Sequence, residues 1–285
     1  MDIQQIVRAV IAELQSIPPN EATKQNAMSD DTVEIIDFQV QEMGVDAPLN
    51  RKTIEFARSI TPARIGIGRA GVRMKTNHYL QFRIDHAAAQ DAVLKDVSED
   101  LLNRLNLPRL SSRATSLKEY LMDLDSGRQL DDASRLYITE NLDKGMDVQI
   151  IVSDGLSSSA VEANIENLLP ALQQGLALKN ISSGQPIFVK KSRVWLQDDV
   201  AKIVNCQIAI ILIGERPGLN TDESLSAYII YRPNEQTVEA DRTVISNIHR
   251  AGLAPTEAGA YLADLLEDML RLKCSGVEFS KERNI

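Results

Sequence analysis

The sequence predicts an α/β fold: a Rossmann-like parallel sheet with flanking helices, preceded by a helical region and an N-terminal amphipathic helix. Three observations lead to this fold class. Apolar runs of strand length alternate with helical segments in the C-terminal half, and this alternation is typical of right-handed βαβ crossovers in a parallel sheet. The middle of the chain is charged and helical in pattern. A short helical stripe opens the sequence and is followed by a segment with few core signals.

The composition narrows the classes of function. With 285 residues, of which 44% are hydrophobic and 25% charged, the chain can bury a substantial core. Acidic residues outnumber Lys plus Arg by 40 to 31, which argues against a nucleic-acid partner because phosphate binding needs a basic face. No apolar run approaches the roughly 20 residues of a membrane span, so no membrane partner is predicted. Cys206 and Cys274 lack CxxC or His spacing, which indicates a reduced, cytoplasmic protein without disulfide or zinc.

Residues 1–16 are predicted to form an amphipathic helix. The apolar side chains recur at spacings of three and four and fall on one stripe, formed by Ile3, Ile6, Val7, Val10, Ile11 and Leu14. Pro18 and Pro19 end this pattern, and residues 17–50 are predicted to be a linker. Two interpretations stay open: the helix packs on its own domain, as most amphipathic stripes do, or it binds another protein.

The rest of the chain divides into two predicted regions. Residues 51–145 are predicted to be a helical region, with the clearest periodicity in QFRIDHAAAQDAVLKDV and short breaks at Pro108 and Gly127. Residues 146–285 are predicted to be an α/β domain. Its strands are expected at 148–153, 186–190, 207–213 and 226–231.

Two helices of the α/β domain carry boundary signals. Ser159 and Glu162 match an S-x-x-E capping box ahead of a leucine-rich helix. The last long helix is predicted to begin with Thr256 as its N-cap and to reach about Lys273, with Gly276 beyond its C-terminal end.

Three polar turns are predicted to lie at one edge of the sheet. SDG at 153–155, SRV at 192–194 and GERPG at 214–218 each follow a strand of the expected parallel set. The carboxyl ends of parallel strands share an edge, and open α/β sheets bind ligands there. A tight turn with a solvated ion pair is the simpler interpretation of GERPG. The clustering of three such turns favours a ligand site.

GIGRAG at 66–71 matches the G-x-G-x-x-G pattern of dinucleotide-binding loops. Such a loop must follow a buried strand and open a helix, whereas Pro62 and Arg64 interrupt the approach to this one. We therefore expect a turn that lets backbone approach a ligand or a neighbouring subunit. A nicotinamide-dependent Rossmann oxidoreductase is the less favoured alternative.

NIHRAG at 247–252 is similar to the D-x-H-x-x-G motif in which histidine ligates the cobalt of cobalamin. Here Asn247 replaces the aspartate that orients the imidazole and raises its basicity. Metal ligation by His249 is therefore not predicted.

Five sequence blocks, in order over residues 50–280, resemble the small subunit of ethanolamine ammonia-lyase. They are TPARIGIGRAG at 61–71, FRIDHAAAQDAV at 82–93, VSDGLSSSAVEAN at 152–164, LIGERPGLNTDESLSAY at 212–228 and VEADRTVISNIHRAG at 238–252. The opening helix resembles the extension of family members that are packed into ethanolamine-utilisation microcompartments. The resemblance implies a location in the cytoplasm within a bacterial microcompartment, where residues 1–16 would bind shell or cargo proteins.

The resemblance also implies an activity. Enzymes of this family use adenosylcobalamin to convert ethanolamine to acetaldehyde and ammonia, and the cofactor supplies the radical chemistry. The large subunit carries the substrate-binding barrel, and the small subunit covers the cobalamin from its other side. This chain is therefore expected to be active only with the large subunit and to contribute no catalytic residue of its own.

Carried over residue by residue, the cobalamin contacts fall on Val194 in SRVWL, Glu215 in GERPG and Val244 in RTVISN. Glu215 is expected to accept hydrogen bonds from carboxamide arms of the corrin ring, with Arg216 holding its carboxylate ionised and oriented. The two valines are expected to offer backbone groups and apolar contact, although the position of Val244 is often Cys in the family. A stand-alone corrinoid-binding or scaffold protein without catalysis stays open as the alternative function.

Overall fold

The computed structural model describes residues 43–283. The predicted amphipathic helix at residues 1–16 lies outside these residues, as does the predicted linker up to residue 42.

The described chain alternates helices and strands. Its first half contains α1 (Arg51–Ser59), β1 (Arg69–Ala70), β2 (Arg73–Met74), α2 (Thr76–Leu94), α3 (Glu99–Arg104), β3 (Arg109–Ser111), α4 (Leu117–Met122) and α5 (Asp132–Asn141). Its second half contains β4 (Val148–Ser153), α6 (Ser158–Leu178), β5 (Ile187–Lys190), α7 (Leu196–Val204), β6 (Ile208–Gly214), β7 (Leu225–Tyr231), β8 (Thr243–Ile248), α8 (Pro255–Leu272) and α9 (Gly276–Glu282).

The predicted α/β class is confirmed, since six strands form one mostly parallel sheet with helices on both faces. The strand order is β3-β5-β4-β6-β7-β8. The strands expected at 148–153, 186–190 and 207–213 are β4, β5 and β6, and they run parallel. The run expected at 226–231 is β7, which pairs antiparallel with β6. The last strand, β8, is antiparallel to β7 and ends the sheet.

Two strands of this sheet are not indicated by the sequence pattern. β3 has three residues and lies within residues 51–145, where a helical region was expected, yet it pairs with β5 at the other end of the sheet. β8 carries mostly exposed or half-buried side chains and lacks an apolar run. Because β3 completes the sheet, residues 51–145 contribute to the same layer as residues 146–285.

The side chains of β6 alternate between two hydrophobic cores. Ile208, Ile210 and Leu212 pack beneath α6 and α8, while Ala209, Ile211 and Ile213 pack beneath α5 and α7. We call the second side of the sheet the α7 face. Every residue of β4 and β6 is buried. This is why the sequence of β6 reads as a continuous apolar run, as expected for a strand covered on both faces.

The predicted capping box of α6 is wrong. Ser157 is the N-cap, and its hydroxyl accepts a hydrogen bond from the backbone N–H of Ala160. Ser159 lies inside the helix. Glu162 reaches outside α6, where it accepts from the Ser98 backbone N–H at 2.8 Å. A tertiary contact therefore takes the carboxylate that the local pattern assigned to a cap.

The start of α8 also differs from the prediction. Thr256 was expected to be the N-cap, but the helix begins at Pro255 and Ala254 takes the cap position. Proline fits the first helical position because it has no N–H to leave unpaired there. The predicted end is confirmed, since Lys273 closes the helix with a left-handed φ of 58°.

Gly214, the last residue of β6, permits a close backbone contact with the turn after β4. A Cβ atom at Gly214 would lie 2.1 Å from the carbonyl oxygen of Ser157 and 2.4 Å from that of Asp154. The Gly214 carbonyl also accepts from the backbone N–H of Leu156 at 3.0 Å. The first glycine of GERPG is therefore required by packing.

We predict that Gly214→Ala lowers the free energy of unfolding by about 1–3 kcal/mol or more, because backbone atoms must move to admit the methyl group. Urea denaturation of the purified protein measures this. Gly218→Ala is the matched control in the same loop, since its nearest contact would be 3.6 Å away, and it should change the free energy by less than about 1 kcal/mol. Equal effects of the two substitutions would contradict the packing argument.

Candidate functional site

Hydrogen bonds join the carboxyl ends of β4 and β5. The Lys191 backbone N–H donates to the Asp154 carboxylate at 2.6 Å, and the Ser192 hydroxyl donates to the Ser153 hydroxyl at 2.7 Å. The Tyr120 hydroxyl adds a bond to the Ser192 carbonyl oxygen at 3.0 Å. Together with the packing of Gly214, these contacts place all three predicted turns at one sheet edge, as the sequence indicated.

Asp154 is enclosed by this arrangement. The residue is 6% exposed. Burial raises the pKa of Asp154 to about 6, although hydrogen bonds from the Lys191 backbone and the Ser153 hydroxyl act in the opposite direction. Its hydrogen-bond partners are Ser153 at the end of β4 and the Lys191 backbone after β5, so the group joins these two strand ends.

We predict that Asp154→Asn changes the pH dependence of stability. The folded pKa lies above the ordinary value of 3.8, so the stability linked to this proton is present below about pH 4 and is lost as the pH rises to about 6. The asparagine variant lacks this loss. Its free energy of unfolding, minus that of the wild type, should rise by about 3 kcal/mol at most between pH 4 and pH 7.

Asp147→Asn is the control for this measurement. The Ser182 hydroxyl lowers the pKa of Asp147, so the stability linked to that group is lost only as the pH falls below about 4. Urea denaturation across the pH range should therefore show the rise for Asp154→Asn alone. If the free energy of unfolding of Asp154→Asn, minus that of the wild type, stays constant between pH 4 and pH 7, the assignment of the raised pKa is contradicted.

Glu215 leaves β6 on the α7 face and has a specific partner. Its backbone N–H donates to the Ser224 carbonyl oxygen at 3.0 Å, and its carboxylate accepts a hydrogen bond from the Tyr228 hydroxyl at 2.8 Å. Burial first, and then the hydrogen bond and charge of Glu215, raise the pKa of Tyr228 to about 12. The tyrosine therefore keeps its proton near neutral pH and donates a hydrogen bond to this carboxylate.

The expected role of Arg216 is corrected by the structure. Within residues 43–283, Arg216 makes no ion pair with Glu215. Its side chain is exposed and lines a separate apolar groove with Leu94 and Leu219. Glu215 and Arg216 therefore have different surroundings, although they are neighbours in the chain.

Val194 and Val244 line one cavity of about 340 Å³ on the α7 face. Val244 lies directly opposite Tyr228 in the pairing of β7 with β8 and is 43% exposed. Val194 is half-buried and packs against the core of that face. The other residues around the cavity are Leu124, Arg128, Arg193, Trp195, Tyr228, Glu239 and Arg242.

Tyr228 therefore connects all three predicted contact residues. Its side chain lines the cavity with Val194 and Val244, and its hydroxyl bonds to Glu215. Sequence reasoning did not single it out. The available signal is an aromatic residue with a polar end inside an otherwise apolar strand, since a half-buried tyrosine hydroxyl usually has a hydrogen-bond partner.

Arginine side chains form the polar part of the cavity wall. The Arg242 guanidinium lies 4.3 Å from the Trp195 ring and pairs with Asp198 at 2.5 Å. The Arg193 guanidinium lies 4.2 Å from the Tyr120 ring and donates to the Tyr120 carbonyl oxygen. The Nε atom of Arg193 is buried and has no partner within the described part of the chain. The cavity wall thus combines apolar surface with arginine cations held in place by Tyr120, Trp195 and Asp198.

His249 is a structural residue. It is 7% exposed. Its Nδ1 accepts from the Ala251 backbone N–H at 3.2 Å, which leaves the proton on Nε2 to donate to the Asn247 side-chain oxygen at 2.7 Å. Both ring nitrogens are used by the turn after β8. Over residues 43–283, no three His, Cys, Asp or Glu side chains gather where they could hold a metal ion.

GIGRAG lies in a hairpin in which β1 pairs antiparallel with β2. Gly71 turns this hairpin with a φ of 62°. A Cβ at Gly68 would lie 1.8 Å from the Gly44 carbonyl oxygen, and the Gly44 backbone N–H donates to the Gly66 carbonyl oxygen. A close backbone approach is made here within the chain, and the expected approach to a ligand or a neighbouring subunit stays a prediction. The strand–loop–helix context of a dinucleotide site is missing from this segment.

The fold and the cavity define an α/β protein with a partly apolar cavity on one face of its sheet. Comparison with known proteins gives the family. The family model described as ethanolamine ammonia-lyase light chain matches residues 51–280. The chain belongs to this family.

Several relatives named ethanolamine ammonia-lyase small subunit support the assignment. The chain is 39% identical to the protein from Listeria innocua, over 97% of this chain and 98% of the relative. Identity is 40% with the Clostridium perfringens protein, over 97% and 96% of the two chains. It is 48% with the Clostridium tetani protein, over 82% and 79%. The resemblance inferred from the sequence blocks is confirmed.

Helix length and hydropathy also bear on membrane contact. Among the helices that the structure describes, none is long and apolar enough to cross a membrane.

Proposed function

We propose that this chain is the small subunit of an adenosylcobalamin-dependent ethanolamine ammonia-lyase and covers the cobalamin against a catalytic large subunit. One observation carries the proposal beyond family membership. Val194, Glu215 and Val244 come from three separate parts of the sequence, and Tyr228 connects them at one surface. Their proximity around Tyr228 supports a shared role at this surface.

The chemistry of this surface fits one side of a corrin ring with its carboxamide arms. Val194 and Val244 offer apolar contact to the ring. Glu215 gives one hydrogen-bond site to Tyr228 and retains further acceptor sites for amide N–H groups. When bound, the cofactor supplies the radical chemistry, and this chain's residues orient it and exclude water.

We infer the division of labour from the family name and from the groups at the cavity, where the carboxylate of Glu239 is exposed to solvent. A general acid or base needs a pKa near the working pH, and the pKa of Tyr228 is raised to about 12. The arginines around the cavity cannot exchange protons at neutral pH. We therefore place the conversion of ethanolamine to acetaldehyde and ammonia on the large subunit, named as a partner by the words "small subunit" in the relatives' names.

A stand-alone corrinoid-binding or scaffold protein is the alternative function. The two proposals differ in one measurement, which is ammonia release from ethanolamine with adenosylcobalamin present. Release should begin only when a barrel-containing large subunit is added to this chain. Turnover by the isolated chain would overturn the division of labour, and the absence of turnover with the partner would favour the alternative.

We predict that Glu215→Ala weakens adenosylcobalamin binding to the assembled enzyme by about 1–3 kcal/mol, because buried amide groups lose an acceptor. An absorbance titration gives the Kd, which should rise about 5- to 150-fold. Glu223→Ala is the matched control, since Glu223 is an exposed carboxylate nearby in the chain. An unchanged Kd for Glu215→Ala in an intact assembly would mean that GERPG is only a turn.

Residues 1–16 are proposed to recruit the enzyme to a bacterial microcompartment through shell or cargo proteins. Their stripe supplies anchors at i, i+3, i+4 and i+7, the spacing of helices that bind in grooves. We predict that a chain beginning at residue 17 keeps near-normal turnover with the large subunit, gains solubility and is missing from purified microcompartments. A truncated chain that unfolds or loses its partner would show instead that the helix packs on its own domain.

A further inference from the structure

Tyr228 and Glu215 lie on the same face of the sheet. Successive side chains of a strand point to opposite faces. Ile211 and Ile213 of β6 pack in the core of the α7 face, so Glu215, two residues beyond Ile213, continues on that face. Tyr228 of β7 packs partly against the same core. The two side chains can therefore meet without crossing the sheet.

The pairing register leaves a gap that only a long side chain can close. Tyr228 lies opposite Ile211 in the β6–β7 pair. Glu215 is four residues further along the chain than Ile211, which corresponds to about 13 Å of extended strand. The tyrosine ring and hydroxyl extend along the strand to within 2.8 Å of Glu215 Oε1. A phenylalanine at this position would fill the same space without the hydrogen bond.

Ser226 shows that a nearby hydroxyl is not sufficient. It lies opposite Ile213, between Tyr228 and Glu215 along the strand, and on the same face as Tyr228. Its Oγ is buried and makes no hydrogen bond to any residue that the structure describes. The contact between Tyr228 and Glu215 is therefore specific to the length and direction of the tyrosine.

We propose that Tyr228 is a positioning residue for cobalamin: its hydroxyl fixes the Glu215 carboxylate so that the remaining acceptor sites face the ligand beside the cavity. This inference rests on the proposed function. The backbone of Glu215 is held separately by its bond to Ser224. Tyr228 thus determines the orientation of the Glu215 side chain, and not the position of its backbone.

A neutral donor suits this task better than a cation. Arginine or lysine at position 228 would pair with the carboxylate and reduce its attraction for amide N–H groups. The tyrosine hydroxyl satisfies one lone pair and leaves the charge of Glu215 in place, and hydrogen bonds to a charged acceptor are the stronger kind. Tyr228 also lines the wall with Val244, so the same side chain sets both the apolar surface and the acceptor.

The test is a double-mutant cycle on the enzyme assembled from this chain and the large subunit. Adenosylcobalamin affinity is measured by absorbance titration for Tyr228→Phe, Glu215→Ala and the double variant. Tyr228→Phe should raise the Kd about tenfold, on the scale of one hydrogen bond to a charged group. The double variant should bind no more weakly than Glu215→Ala, because the tyrosine acts through the carboxylate.

Tyr231→Phe is the matched control for Tyr228→Phe. It removes a hydroxyl from the same strand, but Tyr231 lies opposite Ile208 at the far end of β6 and packs against the other core. Its Kd should equal that of the wild type. A purely structural role for Tyr228 would lower thermal stability without an interaction between the two positions in the cycle.

The outcomes separate this inference from the proposed function. If Glu215→Ala weakens binding and Tyr228→Phe does not, the positioning role is overturned while the proposed function stands. Additive losses would also overturn it, since Tyr228 would then act on cobalamin independently. Failure of the unmodified assembly to bind adenosylcobalamin would overturn both proposals.

A second variant keeps the test decisive if Tyr228→Phe fails to assemble. Glu215→Asp retains the charge but withdraws the carboxylate by one methylene, out of reach of the Tyr228 hydroxyl. The positioning role predicts a Kd raised about as much as in Glu215→Ala. Affinity equal to the wild type would show that the orientation set by Tyr228 is not needed.

Discussion

Burial of β4 and β6 on both faces is the constraint on which the rest of the structure depends. Every residue of these two strands is buried. A charged group in either strand would be buried among apolar side chains, so charged chemistry belongs where the strands end. The contact between Gly214 and the turn after β4 brings two of those ends together. The position of the candidate site is thus set by the sheet before any ligand is considered.

The strand ends then serve two different purposes. At the ends of β4 and β5, Asp154 is enclosed and bonded to the neighbouring backbone, so its acceptor sites serve the fold. At the end of β6, Glu215 is half-buried and has one visible side-chain partner, Tyr228. The two carboxylates at this sheet edge therefore differ in how many acceptor sites remain free for a ligand. The difference arises from local packing, since both follow a buried parallel strand.

The sequence predicts those features that depend on local pattern. Long apolar runs located β4, β5 and β6, and their carboxyl ends correctly indicated where the three turns meet. The strands β3 and β8 were missed because an edge strand with exposed side chains has no apolar run to reveal it. The predictions of an N-cap at Ser159 and of an ion pair between Arg216 and Glu215 were wrong for a related reason. Each rested on neighbours in sequence, whereas the actual partners of Glu162 and Glu215 are distant in the chain.

The shape of the cavity also explains why this chain would need a partner. Sites that hold a ligand alone usually bury most of its surface in a volume of about 300–1000 Å³. The cavity beside Tyr228 is about 340 Å³, and Val244 and Leu124 on its rim are 43% and 55% exposed. A molecule as large as a corrinoid would keep most of its surface outside. Under the proposed function, the other side of the cofactor must be covered by the large subunit, so that binding by this chain and assembly of the enzyme become linked.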